Sequence, residues 1–166
     1  MGTADFLLAE FDREMAATRT LLTRLPDDRF PWRPHAKSFT VGELASHLAN
    51  LPFWALVTLR EASFDAAGQP QTPAATSQGE LLSRFDTRVA EARTVLAGYP
   101  ETRLAEAWTL TQGDRALFSM PRLAVWRSFV MNHLIHHRGQ LSVYLRLLDL
   151  PVPSIYGPSA DEAPRF

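Results

Sequence analysis

Apolar residues recur at spacings of three and four in four separate stretches of the chain, as expected of helices that each bury one stripe. In the first stretch Leu8, Phe11, Met15, Leu22 and Leu25 share a face, Thr18 fills the gap, and Pro26-Asp27-Asp28 ends the pattern. The second runs from about Thr40 to Ala62 and aligns Leu44, His47, Leu51, Ala55, Thr58 and Leu59. Ser38 and Thr40 are its candidate caps, and Glu43 stands three residues after Thr40 in capping-box spacing. Pro52 lies inside it and cannot donate to the Leu48 carbonyl, which predicts a kink or bulge one turn beyond His47.

The third stretch carries Leu82, Phe85, Val89, Ala92, Leu96 and Tyr99. It opens on Ser77-Gln78-Gly79-Glu80, a second capping-box spacing, and ends near Gly98 and Pro100. The fourth aligns Trp126, Val130, His133, His137, Gln140, Tyr144 and Leu147, with Ser119 as its expected cap, Pro121 in its first turn and Pro151 as its stop. Ala66 to Ala75 is rich in Gly, Pro and small residues and reads as a loop. Trp108-Thr109-Leu110-Thr111 alternates before Gln112-Gly113-Asp114, a pattern open to a short hairpin or an irregular crossover. The expected fold is all-α, one domain over residues 1–166. It is a four-helix bundle with a long crossover before the last helix and a C-terminal tail, bearing Ile155, Tyr156 and Phe166, packed on the bundle.

Composition narrows the chemistry. A hydrophobic share of 46% and a charged share of 21% suit a globular core. A formal net charge of -1 leaves no broad footprint for nucleic acid or an anionic membrane. The chain has no cysteine, so disulfides, thiolate metal sites and a protein thiol nucleophile are excluded, and histidine and carboxylate remain as metal ligands. Lys37 is the only lysine and sits in a polar stretch, which sets Schiff-base chemistry aside. Met1 to Asp5 lack the basic and apolar regions of a signal peptide, and Leu123 to Ile135 is broken by Arg127, Asn132 and His133. A cytoplasmic protein is expected. The glycine patterns of serine hydrolases, P-loop NTPases and dinucleotide-binding folds are absent, as are the paired Glu-x-x-His motifs of a di-iron bundle.

Histidine placement points elsewhere. His133 and His137 are four apart and share a helix face, about 6 Å apart along the axis, which suits chelation of one ion. His47 takes an apolar position between Leu44 and Leu51, and meets the pair if the second and fourth helices are neighbours. Three histidines with open positions are the pattern of a reactive metal site, whereas structural zinc usually has four protein ligands. Spacing alone leaves His136 as a rival to His137, since it also pairs with His133 at three residues. His35, in Pro34-His35-Ala36, reads as solvated. Glu43 is the nearest carboxylate to His47 by spacing and reads first as a cap. Asn50, Gln140 and Tyr144 lie one or two turns from ligand positions and are candidates to orient ligands or substrate. Asp161 and Glu162 join them if the tail folds over the site. Arg138 follows a ligand directly and faces away from it, toward an ion pair or a dimer contact.

The run His133-Leu134-Ile135-His136-His137-Arg138-Gly139-Gln140 resembles the HxxxHRGQ signature of the DinB-like family. Phe39-Thr40-Val41-Gly42-Glu43-Leu44-Ala45-Ser46-His47-Leu48 is similar to that family's first-histidine helix. Trp32-Arg33-Pro34 and the tail Ile155-Tyr156-Gly157-Pro158-Ser159 match its habits as well. The resemblance implies a four-helix bundle holding one divalent transition metal (Zn, Ni or Fe) on His47, His133 and His137. It leaves the reaction open. Relatives include metal-dependent thiol transferases and an isomerase that uses a low-molecular-weight thiol. The expected activity is hydrolysis of a small molecule or transfer of such a thiol to one. The alternative is a non-catalytic metal- or ligand-binding homodimer.

Overall fold

Local sequence starts and stops each helix. The computed structural model describes residues 2–70 and 72–163, so Phe166 lies outside it. Helix α1, Thr3–Leu22, begins where the Asp5 carboxylate accepts from the Gly2 amide at 2.9 Å. Helix α2, Val41–Arg60, opens on the predicted capping box. The Thr40 hydroxyl accepts from the Glu43 amide at 3.1 Å, and the Glu43 carboxylate accepts from the Thr40 amide at 2.7 Å. Helix α3, Gln78–Ala97, is capped by Ser77, but the Glu80 carboxylate reaches back to the Thr76 amide, one residue further than a capping box requires. Helix α4 comprises Arg122–Val125, a π-helical stretch Trp126–Met131, and Asn132–Leu147.

Helix α1 packs on α3 and α4, and α2 packs on α3 and α4, so α1 and α2 stand diagonally across the bundle. Helices α2 and α4 are therefore neighbours, which brings together the two faces that carry histidine. One continuous core of Leu, Ala and aromatic side chains fills the interior, with Phe11 and Trp126 in contact at 5.5 Å between ring centroids.

The molecule is mostly helical, and the all-α expectation needs a small sheet added. Strands β1 (Ser63–Asp65), β2 (Ala107–Gln112) and β3 (Arg115–Pro121) form one sheet in that order, β1 parallel and β3 antiparallel to β2. The alternation in Trp108-Thr109-Leu110-Thr111 resolves as a hairpin. Its turn places Gly113 at φ 61, which two-residue hairpin turns demand and most residues resist. Trp108 and Leu110 point inward and, with Val57 and Val125, form a second core that closes one end of the α2–α4 seam. The Asp65 carboxylate accepts from the Gly113 amide at 2.9 Å and ties β1 to the hairpin turn.

Two boundary expectations for α4 are corrected. Ser119 is no cap; it lies in β3 and bonds the Thr109 hydroxyl across the strands at 2.9 Å, while Pro121 precedes the helix. Helix α4 stops at Leu147, four residues before Pro151. Asp149 adopts φ 56, and the Leu150 amide donates to the Leu145 carbonyl at 2.9 Å, a Schellman-type ending. Helix α2 runs unbroken through Pro52, so the bulge half of that expectation is absent; the π-helical stretch is in α4.

The π stretch has a large consequence. A π turn inserts one extra residue and rotates the rest of the helix by about 100° relative to a regular one. The buried stripe of α4 runs Trp126, Val130 and then Leu134, Arg138, Leu141, Leu145, one residue later than the expected His133, His137, Gln140, Tyr144. The two histidines thus border the core, half-buried, instead of sitting in its middle. Position 138 turns inward in their place.

The tail does pack on the bundle. Ile155 and Val152 rest against the main core, Asp161 accepts from Arg146 at 2.5 Å, and the Tyr156 hydroxyl enters the α1–α4 interface. No helix among the described residues is long and apolar enough to cross a membrane.

Candidate metal centre

His47 from α2 meets His133 and His137 from α4 at the seam between the two helices. The Nε2 atoms of His47 and His133 are 3.1 Å apart, and those of His133 and His137 are 2.8 Å apart. Among the described residues this is the group of histidine and carboxylate side chains able to share one ion. The rings are inclined to one another, with centroids 4.6 to 4.9 Å apart, so all three nitrogens converge on one point.

Hydrogen bonds at the far side of two rings fix what those nitrogens offer. The Nδ1 atom of His133 lies 3.3 Å from the Phe129 carbonyl oxygen, which can only accept, so Nδ1 carries the proton. His137 Nδ1 donates in the same way to Gln140 Oε1 at 2.7 Å. Both Nε2 atoms are then bare lone pairs facing each other at 2.8 Å. Nor is an added proton favoured between them. Burial first, then the neighbouring His137 and His133, depress His47 to about 4. Burial followed by His137 lowers His133, and burial lowers His137 against the opposing pull of Gln140. Converging neutral imidazoles with outward-tied Nδ1 atoms are the donor set that a divalent transition metal takes.

The remaining candidates divide. Gln140 orients His137, as its spacing suggests. His136 is exposed and outside the cluster, whose third nitrogen comes from His137. Glu43 is exposed and held as the α2 cap, its carboxyl kept below the usual range by the Thr40 hydrogen bonds. Asn50 is half-buried one turn beyond His47, on the wall of a cleft. Tyr144 donates to the Phe39 carbonyl at 3.3 Å and packs edge-on against Trp32, so it supports Phe39 instead of a ligand. Asp161 and Glu162 bind within the tail and to Arg146 and Arg24; neither joins the histidines. His35 accepts from the Lys37 amide in its own loop.

Residues that spacing does not single out complete the site. Phe39 stacks over His47 at 6.2 Å. Phe129 orients His133 through its carbonyl, and its ring stands between His133, Trp54 and Phe118. Its position four residues before a ligand is the available signal. His47 also opens onto the cleft that Asn50 lines, which has a volume of about 850 Å³ and is walled by α2, α3 and the segment after β1.

Known proteins agree with this architecture. A family model described as the DinB family matches residues 1–165. The chain belongs to the DinB family. It is 28% identical to YrdA of Bacillus subtilis (strain 168), an uncharacterized protein, over 99% of this chain and 94% of that one. Two crystal structures share the fold. A DinB-like protein from Bacillus cereus ATCC 10987 superposes with a TM-score of 0.71 at 20% identity, covering 90% of this chain and 95% of its own. The DinB-like protein YjoA from Bacillus subtilis does so with 0.68 at 20% identity, covering 87% and 94%.

Proposed function

We propose that this DinB-family protein binds one divalent transition metal, zinc, nickel or iron, through His47, His133 and His137, and is a metal-dependent enzyme acting on a small molecule. The observation that carries the reading is the 2.8 Å contact between two Nε2 atoms whose protons are committed elsewhere. Bare lone pairs at that distance repel unless a cation lies between them.

An ion held by three neutral ligands keeps its full positive charge and open positions, and supplies Lewis acidity that lowers the pKa of a bound water or thiol. The protein's own part is to hold the three rings, to keep them neutral by burial, and to present the cleft beside His47. Both reaction classes suit that arrangement, hydrolysis of a carbonyl or ester compound and transfer of a low-molecular-weight thiol. Since the chain has no cysteine, the second requires an external thiol. Glu43, committed to its cap, supplies no base in either case.

The deciding measurement is metal analysis of untagged protein purified without a nickel column. About one equivalent is expected, lost in His47→Ala and His137→Ala and kept in His136→Ala. Protein that carries no stoichiometric metal and takes up none overturns the proposal. A panel of esters, amides and thiol–electrophile pairs then separates the two reaction classes.

A second reading, a non-catalytic dimeric bundle, draws on Val143 and Leu147. They lie one turn apart on α4 with 56% and 58% of their surface exposed. Sedimentation of the unmodified protein and of Val143→Glu tests the dimer directly.

A further inference from the structure

The cleft that opens at His47 has two unlike walls. On one, Phe53 and Trp54 of α2 and Phe64 of β1 pack edge to face with centroids 5.1 to 6.0 Å apart. The other is cationic: Arg84 and Arg88 stand one turn apart on α3. Their surroundings differ. Arg84 is ion-paired with Glu80 and donates to the Pro73 carbonyl at 2.6 Å. Arg88 is half-buried, and no carboxylate of the described residues lies within ion-pair distance of it. Among the described residues its guanidinium reaches only the Ala49 carbonyl, at 3.4 Å, and it lies 5.9 Å over the Phe53 ring. Burial first, and then Arg84, lower its pKa, while Glu91 acts on it only at a distance. Among the described residues the one acidic side chain lining the cleft, Glu43, is occupied at the α2 cap.

A half-buried guanidinium without an anion loses hydration and gains little in exchange. Its planar fork matches a carboxylate, and the aromatic wall beside it suits an apolar body. We propose that this cleft is the substrate site of the histidine centre, and that it selects a small anionic molecule with an aromatic or apolar body, its carboxylate seated on Arg88. The reacting end then lies toward His47. Phe53, under the guanidinium, is six residues from His47 along α2, about 9 Å of helix. The carboxylate and the reacting atom of the substrate are accordingly separated by on the order of 5–10 Å. The catalytic half of this statement rests on the protein being a metal enzyme; the binding half does not.

The test is isothermal titration of the chelator-treated full chain with phenylacetate and phenylbutanoate, each beside its neutral amide. The acids are expected to bind about tenfold more tightly than the amides. That ratio falls to near one in Arg88→Gln and changes by less than about threefold in Arg84→Gln, whose guanidinium is already paired. Arg88→Lys, which keeps the charge and loses the fork, weakens the acids and leaves the amides unchanged, so a Gln variant that fails to fold does not leave the question open. Equal affinity for acid and amide overturns the proposal. So does an acid preference that survives in Arg88→Gln or stays undiminished in Arg88→Lys, or no binding of any probe at about 10 mM. Repeating the titration after adding zinc separates the two readings. Arg88-dependent selection in a protein that takes up no metal sinks the metal enzyme and keeps the anion site. Stoichiometric zinc without acid selection does the reverse.

Discussion

His137 and Arg138 are consecutive on α4, yet they belong to polar clusters of opposite character. Arg138 and Glu14 are 1% and 2% exposed and form an ion pair at 2.6 Å. The Arg138 guanidinium also donates to the Glu14 carbonyl at 3.1 Å and to the Tyr156 hydroxyl at 2.6 Å, and that hydroxyl donates back to the Glu14 carboxylate at 2.6 Å. Charge meets charge, and the network closes on itself. Across the helix, three neutral rings converge with lone pairs facing and no counter-charge. A buried polar cluster that closes is part of the scaffold, whereas one left open at its centre is a place for a ligand.

The sharpest break between the two is a variant that damages one and spares the other. Glu14→Ala leaves Arg138 buried without its anion and is expected to destabilise the fold by about 3–5 kcal/mol. Urea unfolding measures this, and metal content per folded molecule should not change. Acid unfolding tests the same pair. Burial raises the Glu14 carboxyl, but hydrogen bonds from Tyr156 and Arg138 outweigh it and hold it below its ordinary 4.5. Its contribution is therefore present above 4.5 and is lost as pH falls through the lower folded value. In Glu14→Gln that part of the acid lability disappears. A fall in metal content per folded molecule in Glu14→Ala would show that the clusters are one unit.

Gln140 sits on the other side of the comparison. It is exposed and contributes little packing, but its Oε1 fixes the tautomer of His137. Gln140→Leu should weaken metal binding by about 10–100-fold in competition with a chromophoric chelator, with almost no change in unfolding free energy. An unchanged affinity would mean that α4 alone orients the ring.

These clusters are not equally legible in the sequence. On α4 spacing alone leaves His136 beside His137, and only the family resemblance separates them. The histidine pair there is still readable because a four-residue spacing is a local pattern, and His47 interrupts an apolar seam. The capping box at Thr40 and Glu43 is readable for the same reason. Arg138 forms the ion pair expected of it, but its partner Glu14 is far away in sequence, and periodicity leaves Arg138 off the buried stripe because nothing in Trp126–Met131 announces a π turn. Four alternating residues do not decide between a hairpin and a crossover, and β1 goes unexpected because three residues of parallel pairing leave no periodic trace. Arg88 looks like any helix arginine, and its lack of an ion-pair partner is a fact of three dimensions.

The smallest expected effect bears hardest on the comparison. His137→Leu removes a ligand, so metal binding should be lost; the informative quantity is the stability of the metal-free protein. In an ordinary core, exchanging a satisfied buried polar side chain for an apolar one forfeits its hydrogen bond. Here the exchange also removes the 2.8 Å contact between two lone pairs, ends the burial of the His137 ring itself, and substitutes a better helix former. Against these gains stands the single hydrogen bond to Gln140, on an exposed partner. The balance favours a gain of about 0.5–1 kcal/mol in urea unfolding with chelator present. A loss above about 2 kcal/mol, the size of a core truncation, would place the histidines in the scaffold beside Arg138 and remove the distinction between the two clusters.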